Sequence, residues 1–466
     1  MATVLGANSV TGGFEVANSL RANRADSAFL YKTFDDDGTH HDKGTISVWV
    51  KRSEFGAEAM IYAAGASARE FIRFETNDTL TYRSVGEGYH LNTNRVFKDP
   101  SAWYHIVVAF DSSQGTASNR NKIYVNGVQE TSFATETYTP NQNMDHKFLS
   151  GELQRLGRDS EQANPFANCY FCEVVGIDGV AHAPTSFGEF DEDSGIWKPI
   201  SVSGLTFGTN GFHLNFEDSS AFGTDVSGNG NDFANTNFAA VDQATDTCTN
   251  NFATWNPLRK HLGFSSTFTE GSTIVEHGEA NQNQSVFSTM AVSTGKWYAE
   301  FQCSTNASNF AFGIARINTT NEGGLDSFPS SLGGVAYAKN GEIWYTADGD
   351  QDSDTGTTYA HTDIIGILFD LDNTRIYFYK NDTLVNSGGF NYSVGTAVDG
   401  SIFETTYYFA AGSSDAGTNP ILQANFGGSS GFAISSAQSD PDGYGNFEFA
   451  TKGGYALCTK NLAEYG

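Results

Sequence analysis

Asp348, Asp350, Asp352 and Asp354 alternate along the chain and lead to Gly356. Alternating carboxylates of this kind can converge on one hard cation, so Asp350, Asp352 and Asp354 are candidate calcium ligands. The Gly falls late and no Glu occupies the twelfth position, which leaves two other readings open. One is a cation-free loop that contacts a ligand through Trp344, Tyr345, Asp348 and Asp350; the other is an inert acidic loop. A second acidic set, Glu189, Asp191 and Asp193, would lie on one face of an extended segment about 6–7 Å apart. Retaining glycosidases hold two carboxyls roughly 5–5.5 Å apart, but here Pro184, Gly188, Gly195 and Pro199 flank the set and no apolar alternation buries it. The set therefore reads as solvated acids. His41 and Asp42 follow Asp35, Asp36 and Asp37 in what reads as a solvated turn. Cys169 and Cys172 sit in a strand pattern that points them to opposite faces, beyond disulfide reach. No Gly-x-Ser-x-Gly elbow, phosphate loop or His-Glu-x-x-His segment occurs. The residues favour binding over turnover.

Composition narrows the class. Fifty Gly, 37 Phe and 20 Tyr among 466 residues, with only 4 Met, favour strands joined by tight turns. A formal charge of −28 opposes tracking of phosphate backbones, so nucleic acid is not an expected partner. No apolar run approaches the length of a membrane span, and no secretory leader pattern opens the sequence. The expectation is a protein that starts in the cytosol with reduced cysteines.

The elements that would position these groups are β-strands. Residues 44–51 place Ile46, Val48 and Val50 on one face, and 70–75 and 80–83 follow with the same period. Two distant stretches share one hairpin phrase. The first runs from Trp103 to Asp111 and on to 122–127; the second runs from 363 to Asp370 and on to 375–382. Each is an apolar strand stopped by Asp, then an alternating strand ending in Asn126-Gly127 or Asn381-Asp382. The expected fold is all-β, with two antiparallel jelly-roll-type sandwiches in series joined by an ordered, turn-rich strap. The expected divisions are 1–13, a terminal attachment segment; 14–200, a sandwich; 201–262, the strap; and 263–466, a second sandwich.

On these residues the first hairpin and its surroundings, 20–185, resemble laminin-G-like and concanavalin-like jelly rolls. That resemblance implies a lectin or glucanase type of sandwich, binding through loops and often assisted by calcium. The landmarks 294–301, 310–315, 333–337 and 363–381 resemble a SPRY-type sandwich, a class that binds partners through variable loops and has no catalytic machinery. The phrases of the strap and the tail resemble structural proteins of marine bacteriophages. The resemblance implies a non-enzymatic virion protein of tail-fibre or adhesin type that binds a host-surface glycan or receptor and contacts other virion proteins. A homotrimer is the expected assembly. A capsid-decorating or tail-assembly component is the alternative, and a glycan depolymerase a third.

Overall fold

A computed structural model describes residues 13–36, 38–39, 41–159, 166–260, 266–278, 283–307, 309–316, 334–346, 350–385, 389–391, 406–414 and 419–466. Nearly all of its regular structure is antiparallel β-sheet, as the patterning predicts. The chain divides into two compact units, with the boundary between Asn250 and Asn251.

In the first unit two eight-stranded sheets face each other. Strand Lys43–Arg52 lies at the centre of one sheet, between Trp103–Asp111 and Cys169–Asp178. Ile46, Val48 and Val50 turn inward from it and pack, fully buried, against Ile61, Ile72, Phe74 and Leu91 of the opposite sheet. Side chains on a strand alternate faces, so Trp49 points outward from the same strand into a different cluster. Cys169 and Cys172 divide in the same way, one in the inter-sheet core and one outside it. All five cysteines are buried thiols.

The segment expected as a strap is ordered and turn-rich, and much of it is built into the first unit's sheets. Phe212–Leu214 pairs with Cys169–Asp178, Ala234–Thr236 with Phe29–Thr33, and Gln243–Ala244 with Ser19–Ala22. Its turns are stitched by side chains. The Asp225 carboxylate accepts from the backbone N–H groups of His213, Ser227 and Asn231. Asn229 and Asn231 donate to the carbonyl of Gly211. Short polar side chains that bond nearby backbone stabilise turns in place of a ladder. Its aromatic residues Phe212, Phe216, Phe222, Phe233 and Phe238 fill the core.

The second unit repeats the architecture with a seven-stranded and a nine-stranded sheet among the described residues. Trp255, Val286, Phe312, Ile314 and Phe409 from one sheet meet Phe301, Ile365, Ile367 and Phe378 from the other. Tyr455–Ala456 adds a short parallel pairing beside Lys296–Cys303.

The shared hairpin phrase has a common physical basis. Asp111 and Asp370 each accept from a backbone N–H two or three residues on, at Ser113 and Asn373, which closes the turn after the apolar strand. Asn126 and Asn381 each exchange two hydrogen bonds with a residue near the start of the hairpin, His105 or Ile364. Both turns need two residues with positive φ: 48° and 79° at Asn126 and Gly127, 45° and 69° at Asn381 and Asp382. This is the primed turn that matches strand twist. A Cβ at Gly127 would also collide with the Trp197 ring. Gly127→Ala should therefore cost at least about 1–2 kcal/mol, read as a lower urea midpoint, and an unchanged midpoint would refute that packing.

Candidate functional site

Residues 350–354 of the acidic stretch depart from the expected loop. Asp350–Asp354 is a strand, paired antiparallel with Glu342–Thr346 so that Asp352 faces Trp344 and Asp350 faces Thr346 across the ladder. Alternate residues on a strand share a face but stand about 6–7 Å apart, so the backbone here does not wrap round a point as a calcium loop does. The reason is register: Gly341 turns the chain, and the run after it has a full partner to pair with. Asp348 lies outside the described residues, and Trp344, Tyr345, Asp350, Asp352 and Asp354 are placed by their strands alone.

Other sequence candidates resolve into structural roles. Glu189 and Asp191 belong to a small hairpin, Gly188–Phe190 against Trp197–Pro199, where Lys198 lies 3.4 and 3.1 Å from them. The Ser194 backbone N–H, its hydroxyl and Lys198 hold the Asp191 carboxyl down at about 2. A general acid needs the opposite shift. The strand aromatics Trp49 and Tyr82, and Tyr89 beside them, are buried. In the Asp35–Asp42 turn, the Gly38 N–H caps on Asp36 and Asp42 lies 3.9 Å from Lys43.

The outer face of the first sheet is closed by the chain itself. His105 stacks between Trp49 at 4.6 Å and Trp197 at 6.0 Å. Trp197 Nε1 donates to its Nδ1 at 2.9 Å, which leaves Nε2 to donate to the Ser47 hydroxyl at 2.8 Å. Phe187, Val202 and Phe207 extend this roof. Burial pushes the His105 imidazole down to about 3. Its ring proton signals should stay flat from pH 8 to pH 5 by NMR; a midpoint near 6 would mean that the roof opens.

The second sheet turns a different face outward. One cross-strand row runs Tyr31, Arg155, Ala63, Phe71, Arg83, His90, each directly opposite the next. Sequence dictates this face locally: in Glu70–Phe74, Ile72 and Phe74 take the core, so Phe71 and Arg73 must face out. Met60, Ala63 and Phe71 form a small apolar floor. Arg69 and Arg73 lie over the Phe71 ring at 5.6 and 4.9 Å. Arg158 lies beside Phe29 and Phe166, at 4.7 and 5.2 Å from their ring centres. Five of the chain's 13 arginines thus belong to one sheet face of a strongly acidic protein.

Two of those cations are neutralised at close range. Arg69 lies 3.0 Å from Asp159, and Arg73 lies 2.8 and 2.9 Å from Glu58 and Glu75. Arg83 and Arg155 are half-buried and make no ion pair among the described residues. Burial, and then the neighbouring Arg158, lower the Arg155 pKa; burial and then Arg83 lower that of His90. Tyr31, 38% exposed, ends the row. Such a face offers forked donors, a neutral imidazole and an aromatic ring to a solvent-borne ligand. The sequence assigns two of these strands, 70–75 and 80–83, but not the row. Alternation could have assigned Arg73 and Arg83 outward; bringing Arg155 into line with them takes non-local pairing.

Part of the sandwich that carries this face matches a known family model. Residues 26–175 match the family model described as the concanavalin A-like lectin/glucanases superfamily. Among solved structures, the chain is similar to the SPRY domain of human HERC1 at 14% identity, covering 36% of this chain and 96% of that one, with a TM-score of 0.28. It is also similar to a Bacteroides ovatus protein proposed to bind carbohydrate, at 14% identity over 48% of this chain and 59% of that one, with a TM-score of 0.32. The PSpry domain of TRIM65 matches at 13% identity over 37% and 91%, with a TM-score of 0.26. No curated protein matches the chain.

Proposed function

We propose that this is a non-enzymatic glycan-binding protein of a bacteriophage particle, of tail-fibre or adhesin type, which engages a host-surface glycan through the open sheet face of its first unit. The observation that carries the reading is the row from Tyr31 to His90 on a sandwich whose residues 26–175 match a lectin and glucanase family. The virion setting rests on the resemblance of the strap and tail phrases to phage structural proteins. In that setting the chain folds in the host cytoplasm, where its five thiols stay reduced. Residues 1–13 attach it to other virion proteins, and a homotrimer multiplies weak sugar contacts into useful avidity.

A glycan array probed with the purified protein tests the binding. Binding to a defined glycan that is lost on changing the arginine row supports the assignment, and binding to none removes it. Placement is tested by a map of the particle: a chain whose sheet face is wholly covered by other subunits would favour the capsid-decorating or tail-assembly alternative. Release of oligosaccharides that disappears in Glu189→Gln or Asp191→Asn would instead revive the depolymerase reading, which the depressed Asp191 carboxyl opposes.

A further inference from the structure

Arg83 and Arg155 carry charge on a partly desolvated face and make no ion pair among the described residues, although the chain has 54 acidic residues. Desolvating a cation costs free energy that an anion can return, so an unpaired guanidinium on an open face is poised for an anionic group. The two lie in one cross-strand row with Ala63 and Phe71 between them. Three strand spacings separate them, about 14 Å. Ala63 and Phe71 between them are buried, with Arg69 and Arg73 lying over the Phe71 ring, and both of those arginines are already neutralised.

We infer that the face takes an acidic polysaccharide, with Arg83 and Arg155 each holding an anionic substituent of the same chain and Tyr31 bordering its end. This rests on the glycan-binding reading and specifies its ligand class. Planar forked donors suit carboxylate and sulfate groups, and a 14 Å separation suits a polymer that carries repeated charges better than a single sugar. The net charge of −28 repels anions elsewhere on the molecule. Selectivity therefore depends on this row.

Affinity is measured for polygalacturonate and heparin as acidic probes, dextran as the neutral one, and polyglutamate as an acidic chain without sugar. The expected result is binding to an acidic polysaccharide that weakens as NaCl rises. Arg83→Gln and Arg155→Gln should each weaken it at least about tenfold, since a charge-assisted pair contributes roughly 1.5–3 kcal/mol. Arg83→Lys should fall between, because it keeps the charge and loses the fork. Lys122→Gln, on the other sheet, should leave binding unchanged. Neither arginine makes an ion pair among the described residues, so the variants should melt with the wild type. Binding that survives both Gln variants, or equal affinity for polyglutamate, overturns the inference. Binding to dextran in place of the acidic probes overturns it while sparing the glycan reading. Binding to no glycan of any kind removes both.

Discussion

Raising the pH from 4.5 to 8 should lower the stability of the second unit by about 3 kcal/mol through one residue, with the melting temperature falling by roughly 5–10 °C. Glu300, on strand Lys296–Cys303, is fully buried. Its carboxyl accepts from the backbone N–H groups of Glu448 and Phe449, at 2.9 and 2.8 Å, and from Asn425 and Tyr298, both at 3.2 Å. These donors favour the charged form, yet burial outweighs them and pushes the carboxyl from its ordinary 4.5 up to about 7. The folded-state value lies above the unfolded one, so the favourable contribution is complete below 4.5 and is lost as pH rises through 7. Calorimetric scans across this range, with Glu300→Gln alongside, read the effect. The variant should start lower, because an amide N–H₂ meets backbone donors, but its pH dependence should flatten over the same window. A wild type as flat as the variant would sink the prediction.

Glu70→Gln should cost the first unit about 1–3 kcal/mol, the usual penalty for leaving buried hydrogen-bonding groups unsatisfied. Glu70 Oε1 accepts from Tyr82 at 2.7 Å and from His146 Nδ1 at 3.0 Å, while Oε2 accepts from the backbone N–H groups of Lys147 and Phe148, at 2.7 and 3.2 Å. This carboxylate ties the 146–148 segment to the middle of a sheet. Burial raises its pKa, but His146 and the hydroxyls of Tyr89 and Tyr82 outweigh burial and hold it below 4.5. Its sign is therefore opposite to that of Glu300. The contribution is present above the unfolded value and is lost as pH falls through the depressed one. Hydrogen exchange over residues 70–84 should accelerate in the variant at pH 7, and in the wild type on acidification. Protection that stays at the wild-type level in the variant would contradict the role assigned to the network.

The two buried glutamates mark what local reading can and cannot reach. Alternation assigns Ile46, Val48 and Val50 to a core because period two is a property of the strand alone. For Glu70 and Glu300 the same period says inward, but most of their partners lie far off in sequence: besides Tyr82 and Tyr298, Glu70 is bonded by residues 76 to 78 positions away, and Glu300 by residues 125 to 149 positions away. The acidic stretch after Asp348 misleads for a related reason. Asp is a poor strand former by propensity, and the pairing of Asp350–Asp354 with Glu342–Thr346 overrides that preference.

By itself the sequence determined the class: two all-β sandwiches, the same hairpin in each, and turns placed by Asn, Asp and Gly, since these follow from side-chain period and backbone conformation. It also carried the negative charge and the lack of nucleophile motifs, which favour binding. Only the tertiary structure decided which side chains share a face. The strap resolved into strands of the first unit, because a ladder satisfies backbone groups that a loose segment would leave to water. One sheet face was roofed by Trp197 and its neighbours, and the other aligned Arg155 with Arg83 across three ladders. That alignment is a matter of strand order and register, which the chain settles through pairings as distant as Ala63 with Arg155, 92 positions apart.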